Sequence, residues 1–121
     1  MSHPKAFDEV QAAWNERDPE KIRSHLDRAL SESVVFVDPL YDITGRDAFE
    51  QMVRKLREDI PNVRTEISSG FNHHHDLWRY EWRVFDGDKL VTPGMDVTRV
   101  GADGLIERID GFFGPIPPKE A

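Results

Sequence analysis

Trp78-Arg79-Tyr80-Glu81-Trp82-Arg83-Val84 alternates ring-bearing or branched side chains with charged ones. Successive side chains of a β-strand point to opposite faces. Trp78, Tyr80, Trp82 and Val84 therefore share one face of a strand, and Arg79, Glu81 and Arg83 share the other. The next residues, Asp86-Gly87-Asp88, are a hairpin turn signal. A further strand is expected from about Lys89 to Val100, a second turn at Ala102-Asp103-Gly104, and a last strand from Leu105 to about Phe113. Gly114 and the proline-rich Pro115-Ile116-Pro117-Pro118 end it.

Upstream, Val63, Thr65, Ile67 and Ser69 alternate with charged or polar neighbours, as a strand with one buried face does. Before Pro61-Asn62 the period changes to that of a helix. Phe49, Met52, Val53, Leu56 and Ile60 form the stripe of a helix opened by Gly45. Phe7, Val10 and Trp14 mark a first helix, and Ile22, Leu26, Ala29 and Leu30 a second. Asp18-Pro19 separates these two, with Asp18 as the N-cap and Pro19 in the first turn. A short β-rich run, Val34 to Val37, ends at Asp38-Pro39, and Leu40 to Thr44 reads as a loop. Helices first and hairpin-linked strands after predict a single α+β domain over residues 1–121, with three helices on one side of a curved antiparallel sheet. So few helices leave part of a twisted sheet uncovered, and that aromatic-lined hollow is where a small ligand belongs.

The 121 residues suit one domain. No cysteine is present, which removes disulfides, thiolate metal sites and Cys nucleophiles. The formal net charge of −7 argues against a nucleic-acid scaffold. No apolar run approaches the length of a membrane span, and the first ten residues lack the pattern of a signal peptide. A soluble, cytoplasmic protein is the expectation.

The order of elements and several local motifs resemble the nuclear transport factor 2-like (cystatin-like) superfamily, with its SnoaL-like cyclase and ketosteroid isomerase-like branch nearest. The motifs are Trp14-Asn15-Glu16-Arg17-Asp18-Pro19, Val35-Phe36-Val37-Asp38-Pro39, Thr44-Gly45-Arg46, Gly94-Met95-Asp96-Val97, Asp103-Gly104-Leu105-Ile106 and Gly111-Phe112-Phe113. The resemblance implies a cone-shaped fold enclosing a pocket. It specifies function poorly, because this fold hosts isomerases, cyclases, dehydratases, epoxide hydrolases and non-enzymatic partners.

By that resemblance Asp38 stands where the isomerases keep a general base. A carboxylate after a short strand, stiffened by Pro39, can lean into the hollow; equally, it can simply cap the turn. Asp96 should share an inward face with Gly94 and Thr98, and it matches the isomerases' neutral acid, a carboxyl held protonated in an apolar site so that it can donate a hydrogen bond. The alternative is a buried Asp paired with a histidine or a tryptophan N–H. The isomerases' oxyanion-binding Tyr corresponds to Val10 here, which argues against steroid isomerisation and leaves Tyr80, or less directly Tyr41, as hydroxyl donors. His74 is either a pocket hydrogen-bonder on the Trp78 face or part of a polar strand entrance. His73 and His75 are not expected to bind metal. Trp14, Trp78, Tyr80, Trp82, Ile109 and Phe113 are expected to shape an apolar cavity.

Limonene epoxide hydrolase-like members use an Arg-x-Asp and a later Asp. Arg79-x-Glu81 with Asp110 is similar, but the alternation puts Arg79 and Glu81 on the outer face, as cross-strand ion pairs. Many members of the superfamily dimerise through that face, and a homodimer is expected. The reading is a cofactor-free proton transfer on a small apolar organic molecule, with Asp38 as base and Asp96 or His74 as acid. Its rivals are a non-catalytic ligand-binding or association module and an epoxide hydrolase.

Overall fold

A computed structural model describes residues 3–120. Helices α1 (Lys5–Asn15) and α2 (Pro19–Ala29) come first, then strands β1 (Leu30–Val37) and β2 (Asp42–Thr44) and helix α3 (Arg46–Asp59). Strands β3 (Val63–Ile67), β4 (Asn72–His74), β5 (Leu77–Asp86), β6 (Lys89–Val100) and β7 (Ile106–Phe113) follow. The sheet order is β2-β1-β7-β6-β5-β3, with β4 also pairing on β5.

Local chemistry accounts for most boundaries. Pro19 opens α2, and the Asp18 side chain accepts from the Glu20 amide at 3.0 Å, satisfying one of the unpaired donors of the first turn. Gly45 precedes α3 with φ +96°, a backbone region that side chains with a Cβ rarely adopt. Asp38 and Tyr41 exchange backbone hydrogen bonds of 2.9 and 3.3 Å, so Asp38-Pro39-Leu40-Tyr41 is a tight turn that sends the chain back as β2. The stretch expected as a loop from Leu40 is thus half turn and half edge strand. It contributes only a short strand, too brief for a period to be read.

Two other expectations need correction. The sheet is mixed, because β1 runs parallel to β7 (Val37 beside Asp110) while its other pairs are antiparallel. The first strand is also longer than its apolar run: α2 stops at Ala29, and Leu30 already pairs with Ile106.

Phe7, Val10 and Ala13 of α1, Ile22 and Leu26 of α2, and Phe49, Met52 and Val53 of α3 are buried against the concave sheet face. Each helix therefore presents one apolar stripe to the core. Arg57 of α3 ties the layers together by donating to the Trp14 carbonyl at 2.7 Å and the Val63 carbonyl at 3.2 Å. No helix of the described residues is long and apolar enough to cross a membrane.

Candidate functional site

The antiparallel registers lay the inward side chains of the sheet in rows. One row runs from Asp38, just past the end of β1, through Gly111 of β7 and Asp96 of β6 to Tyr80 of β5. The next row, toward the β5–β6 hairpin, holds Phe113, Gly94, Trp82 and Ile67. A third holds Thr92, Val84 and Thr65. Above these rows lie Val10, Gln11 and Trp14 of α1 and Met52 and Leu56 of α3, leaving a cavity of about 270 Å³. Exposed Leu40, Val91 and Phe113 mark its mouth. The hollow is open, not filled by its own aromatics.

Two glycines shape the inner end. A Cβ on Gly111 would stand 2.9 Å from Asp96 Oδ1 and 3.3 Å from Asp38 Cβ, so the missing side chain is what leaves the two carboxyls neighbours. A Cβ on Gly94 would overlap the Trp82 indole, which lies across β6 because nothing stands there. In that pose Trp82 Nε1–H donates to Asp96 Oδ1 at 2.8 Å. The Tyr80 hydroxyl donates to Asp96 Oδ2 at 3.3 Å and lies 3.5 Å from Thr98 Oγ1.

Asp96 is half-buried, with its accessible part on the cavity wall. Burial pushes its pKa up from the ordinary 3.8 to about 7; the Trp82 and Tyr80 hydrogen bonds oppose the rise, while the charges of Asp38 and Asp110 add to it. Such a carboxyl is present in both protonation states near neutral pH and can give or take a proton there. Burial, then the neighbouring Asp96 charge, push the Tyr80 phenol's pKa up, so it stays protonated as a donor. Asp38 Oδ1 accepts the amides of Leu40 at 2.9 Å and Tyr41 at 2.8 Å, while Oδ2 accepts no bond among the described residues. Both readings of each Asp hold together. Asp38 caps its turn and also faces the cavity; Asp96 is paired with a tryptophan N–H and also faces it.

Of the other residues named from the sequence, Trp14, Tyr80, Trp82, Ile109 and Phe113 line the cavity. His74 and Trp78 do not, and here the expectation is corrected. His75 adopts φ +53° and reverses the chain, so β4 doubles back on β5 and does not extend its alternation. His74 ends exposed at the tip of that hairpin, its Nδ1 3.0 Å from that of His75. Trp78 does share the Tyr80 face. However, His73 stacks on it at 4.0 Å, and Phe7 meets its edge at 5.6 Å, beyond the closed end of the cavity.

Arg79, Glu81 and Asp110 do not meet at the cavity. Arg79 is exposed on the outer face, donating to Asn72 Oδ1, and Asp110 pairs with Arg108 there. Among the described residues, no three His, Asp or Glu side chains are placed to hold a metal ion. Polar wall residues that sequence reading missed include Thr65 and Gln11; the latter is the more telling. Its signal was visible: a polar residue on the stripe of Phe7, Val10 and Trp14, four positions after the first.

A candidate isomerase of the SnoaL-like family from Agrobacterium tumefaciens str. C58 is 29% identical, with a TM-score of 0.85 over 93% of this chain and 97% of that one. Two more distant structures share the fold. A nuclear transport factor 2-like protein of unknown function from Exiguobacterium sp. 255-15 is 23% identical (TM-score 0.74; 92% and 99% covered). A candidate SnoaL-like polyketide cyclase from Jannaschia sp. CCS1 is 14% identical (TM-score 0.68; 93% and 90% covered). No curated protein matches the sequence. The pattern of the SnoaL-like domain runs through residues 7–109, from the first buried ring of α1 to the cavity-lining Ile109. With its helices, curved sheet and pocket in that arrangement, this chain belongs to the SnoaL-like domain family.

Proposed function

We propose that the cavity binds a small, largely apolar organic molecule with a carbonyl group and catalyses a cofactor-free proton transfer on it, as an isomerisation, cyclisation or dehydration requires. The observation that carries this reading is that Asp38 and Asp96 open onto one cavity with only Gly111 between them. Asp38 as carboxylate takes the proton from the carbon next to the carbonyl. The C–H electron pair becomes the new C=C bond, and the carbonyl π pair moves onto oxygen. Protonated Asp96 donates a hydrogen bond to that oxygen and keeps its proton, and the carbonyl re-forms as Asp38 returns its proton to carbon. The apolar wall strengthens these interactions by excluding water.

The test is hydrogen–deuterium exchange next to the carbonyl of 1-tetralone, followed by NMR in D2O. The protein should accelerate exchange over buffer. Asp38→Asn should lose about 100-fold or more of that acceleration while still binding the ketone. Asp96→Asn should lose less, since an amide still donates a hydrogen bond. Exchange unchanged by both substitutions would sink the assignment.

Assembly as a homodimer through the outer sheet face is part of the same reading. Phe112 is 59% exposed there beside its cross-strand partner Met95, with Arg79, Glu81 and Arg83 along the neighbouring strand. An exposed ring amid mixed charges is the composition of a protein contact.

A further inference from the structure

Other than Tyr41, Asp59 and Thr92, the polar residues of the cavity wall form two sets that stand apart. The first is the proton-handling end, where Asp38, Asp96 and Tyr80 share a row. The second is Gln11 of α1 with Thr65 of β3, where Gln11 Nε2 donates to Thr65 Oγ1 at 2.6 Å. Thr65 sits beside Val84, four residues along β5 from Tyr80. At the rise of a strand the two sets are about 13 Å apart along the sheet, a gap that side chains shorten from both ends. Ile67 and Trp82 occupy the row between them.

The Gln11–Thr65 bond is not needed to join α1 to β3. Asn15 already does that through the Thr65 backbone, donating to its carbonyl at 3.0 Å and accepting its amide at 2.8 Å. A purely structural wall would be apolar here, because polar groups facing an apolar space lose their hydration. After their mutual bond, an amide and a hydroxyl still present at least one donor and one acceptor, whichever way the amide is turned. Neither carries charge. Among the described residues no Lys, Arg or His lines the wall, Asp59 at the mouth is already paired with Lys55 at 3.2 Å, and Asp38 adds an acidic group. Such a wall disfavours anions.

We infer that Gln11 and Thr65 form a second, neutral anchor for an uncharged ligand. That ligand carries a carbonyl at the Asp38–Asp96 end and a hydroxyl or oxo group at the far end. Phosphate, carboxylate and coenzyme A conjugates are excluded because the wall offers them no cationic partner. This inference rests on the proposed use of the cavity as a ligand site, and it adds the polarity and charge of the ligand.

The test compares 1-tetralone, 6-hydroxy-1-tetralone and 6-carboxy-1-tetralone at about pH 6, where the phenol is neutral and the acid ionised. Binding is read from quenching of the two wall tryptophans, Trp14 and Trp82. The hydroxyketone should bind about five- to tenfold more tightly than 1-tetralone, the worth of one net hydrogen bond. The carboxyketone should bind about 100-fold more weakly than 1-tetralone. In Gln11→Met and in Thr65→Val, both close in shape, the hydroxyl preference should fall below about twofold while 1-tetralone binds as before. Absence of that preference in the parent overturns the anchor, as does its survival in both variants or equal binding of the carboxyketone. Failure of 1-tetralone itself to bind would instead overturn the underlying reading of the cavity.

Discussion

Asp96 carries an electrostatic cost, because burial opposes its charged form. Its carboxyl has a pKa of 3.8 when unfolded and about 7 when folded. The folded protein therefore holds the proton more tightly, and stability falls as pH rises from about 4 to about 7, by up to about 4 kcal/mol. Asp96→Asn removes the charge that must be buried. The variant should gain stability over the parent progressively across that window and by a constant amount above it, as read from denaturant midpoints at pH 4.5 and 8. A gain that does not change with pH would mean that Asp96 does not titrate in the window. Gly94 belongs to the same account. Gly94→Ala displaces the Trp82 ring, with an overpacking cost of about 1–3 kcal/mol, and withdraws the indole N–H that holds the Asp96 pKa down. The Asp96 midpoint, followed by carbon NMR, should move above its parent value. Trp82→Phe should move it in the same direction, and the double variant should add little further.

Between elements, α1 and α2 are clasped by His25, which contacts Glu9 at 3.0 Å through Nδ1 and Glu16 at 2.8 Å through Nε2. Arg28 also reaches Glu9, at 3.1 Å. Burial alone would push the His25 pKa down, but hydrogen bonds and charges from Glu16 and Glu9 outweigh it, and the pKa is raised above 6.5. The hydrogen bond from His25 leads in holding both Glu pKa values below 4.5. The imidazolium's contribution is complete below pH 6.5 and is lost as pH rises through its folded pKa. The carboxylates' contributions are present above pH 4.5 and lost below it. The clasp should therefore be strongest between these limits. Proton NMR should place the His25 midpoint above 6.5 in the parent, and Glu9→Gln with Glu16→Gln should lower it; a midpoint unmoved by both would rule the clasp out.

At the scale of the molecule, the convex face of the sheet is committed to neither core nor cavity. The proposed dimer predicts a sedimentation mass of two chains. Phe112→Asp should convert it to one chain without loss of helix or strand signal, because Phe112 contributes little to the monomer's own core. A parent protein that sediments as a single chain at high concentration would remove the dimer.

How much of this was legible in the chain follows from the range of each signal. Strand alternation and helix stripes are local, repeating every two or 3.6 residues. The sequence alone therefore decided the fold class, the inward row of Tyr80 and Trp82, the outward row of Arg79 and Glu81, and the capped start at Asp18-Pro19. His74 was misplaced because a left-handed residue at His75 breaks the alternation, and no periodicity announces that break. The parallel pairing of β1 with β7 is long-range, joining residues some seventy positions apart, and only the folded chain sets it. That pairing brings Asp38 to Gly111 and so to Asp96, whose pKa burial and the neighbouring Asp38 charge both raise. Local pattern assigned the faces; closure of the sheet decided which side chains on the inward face meet.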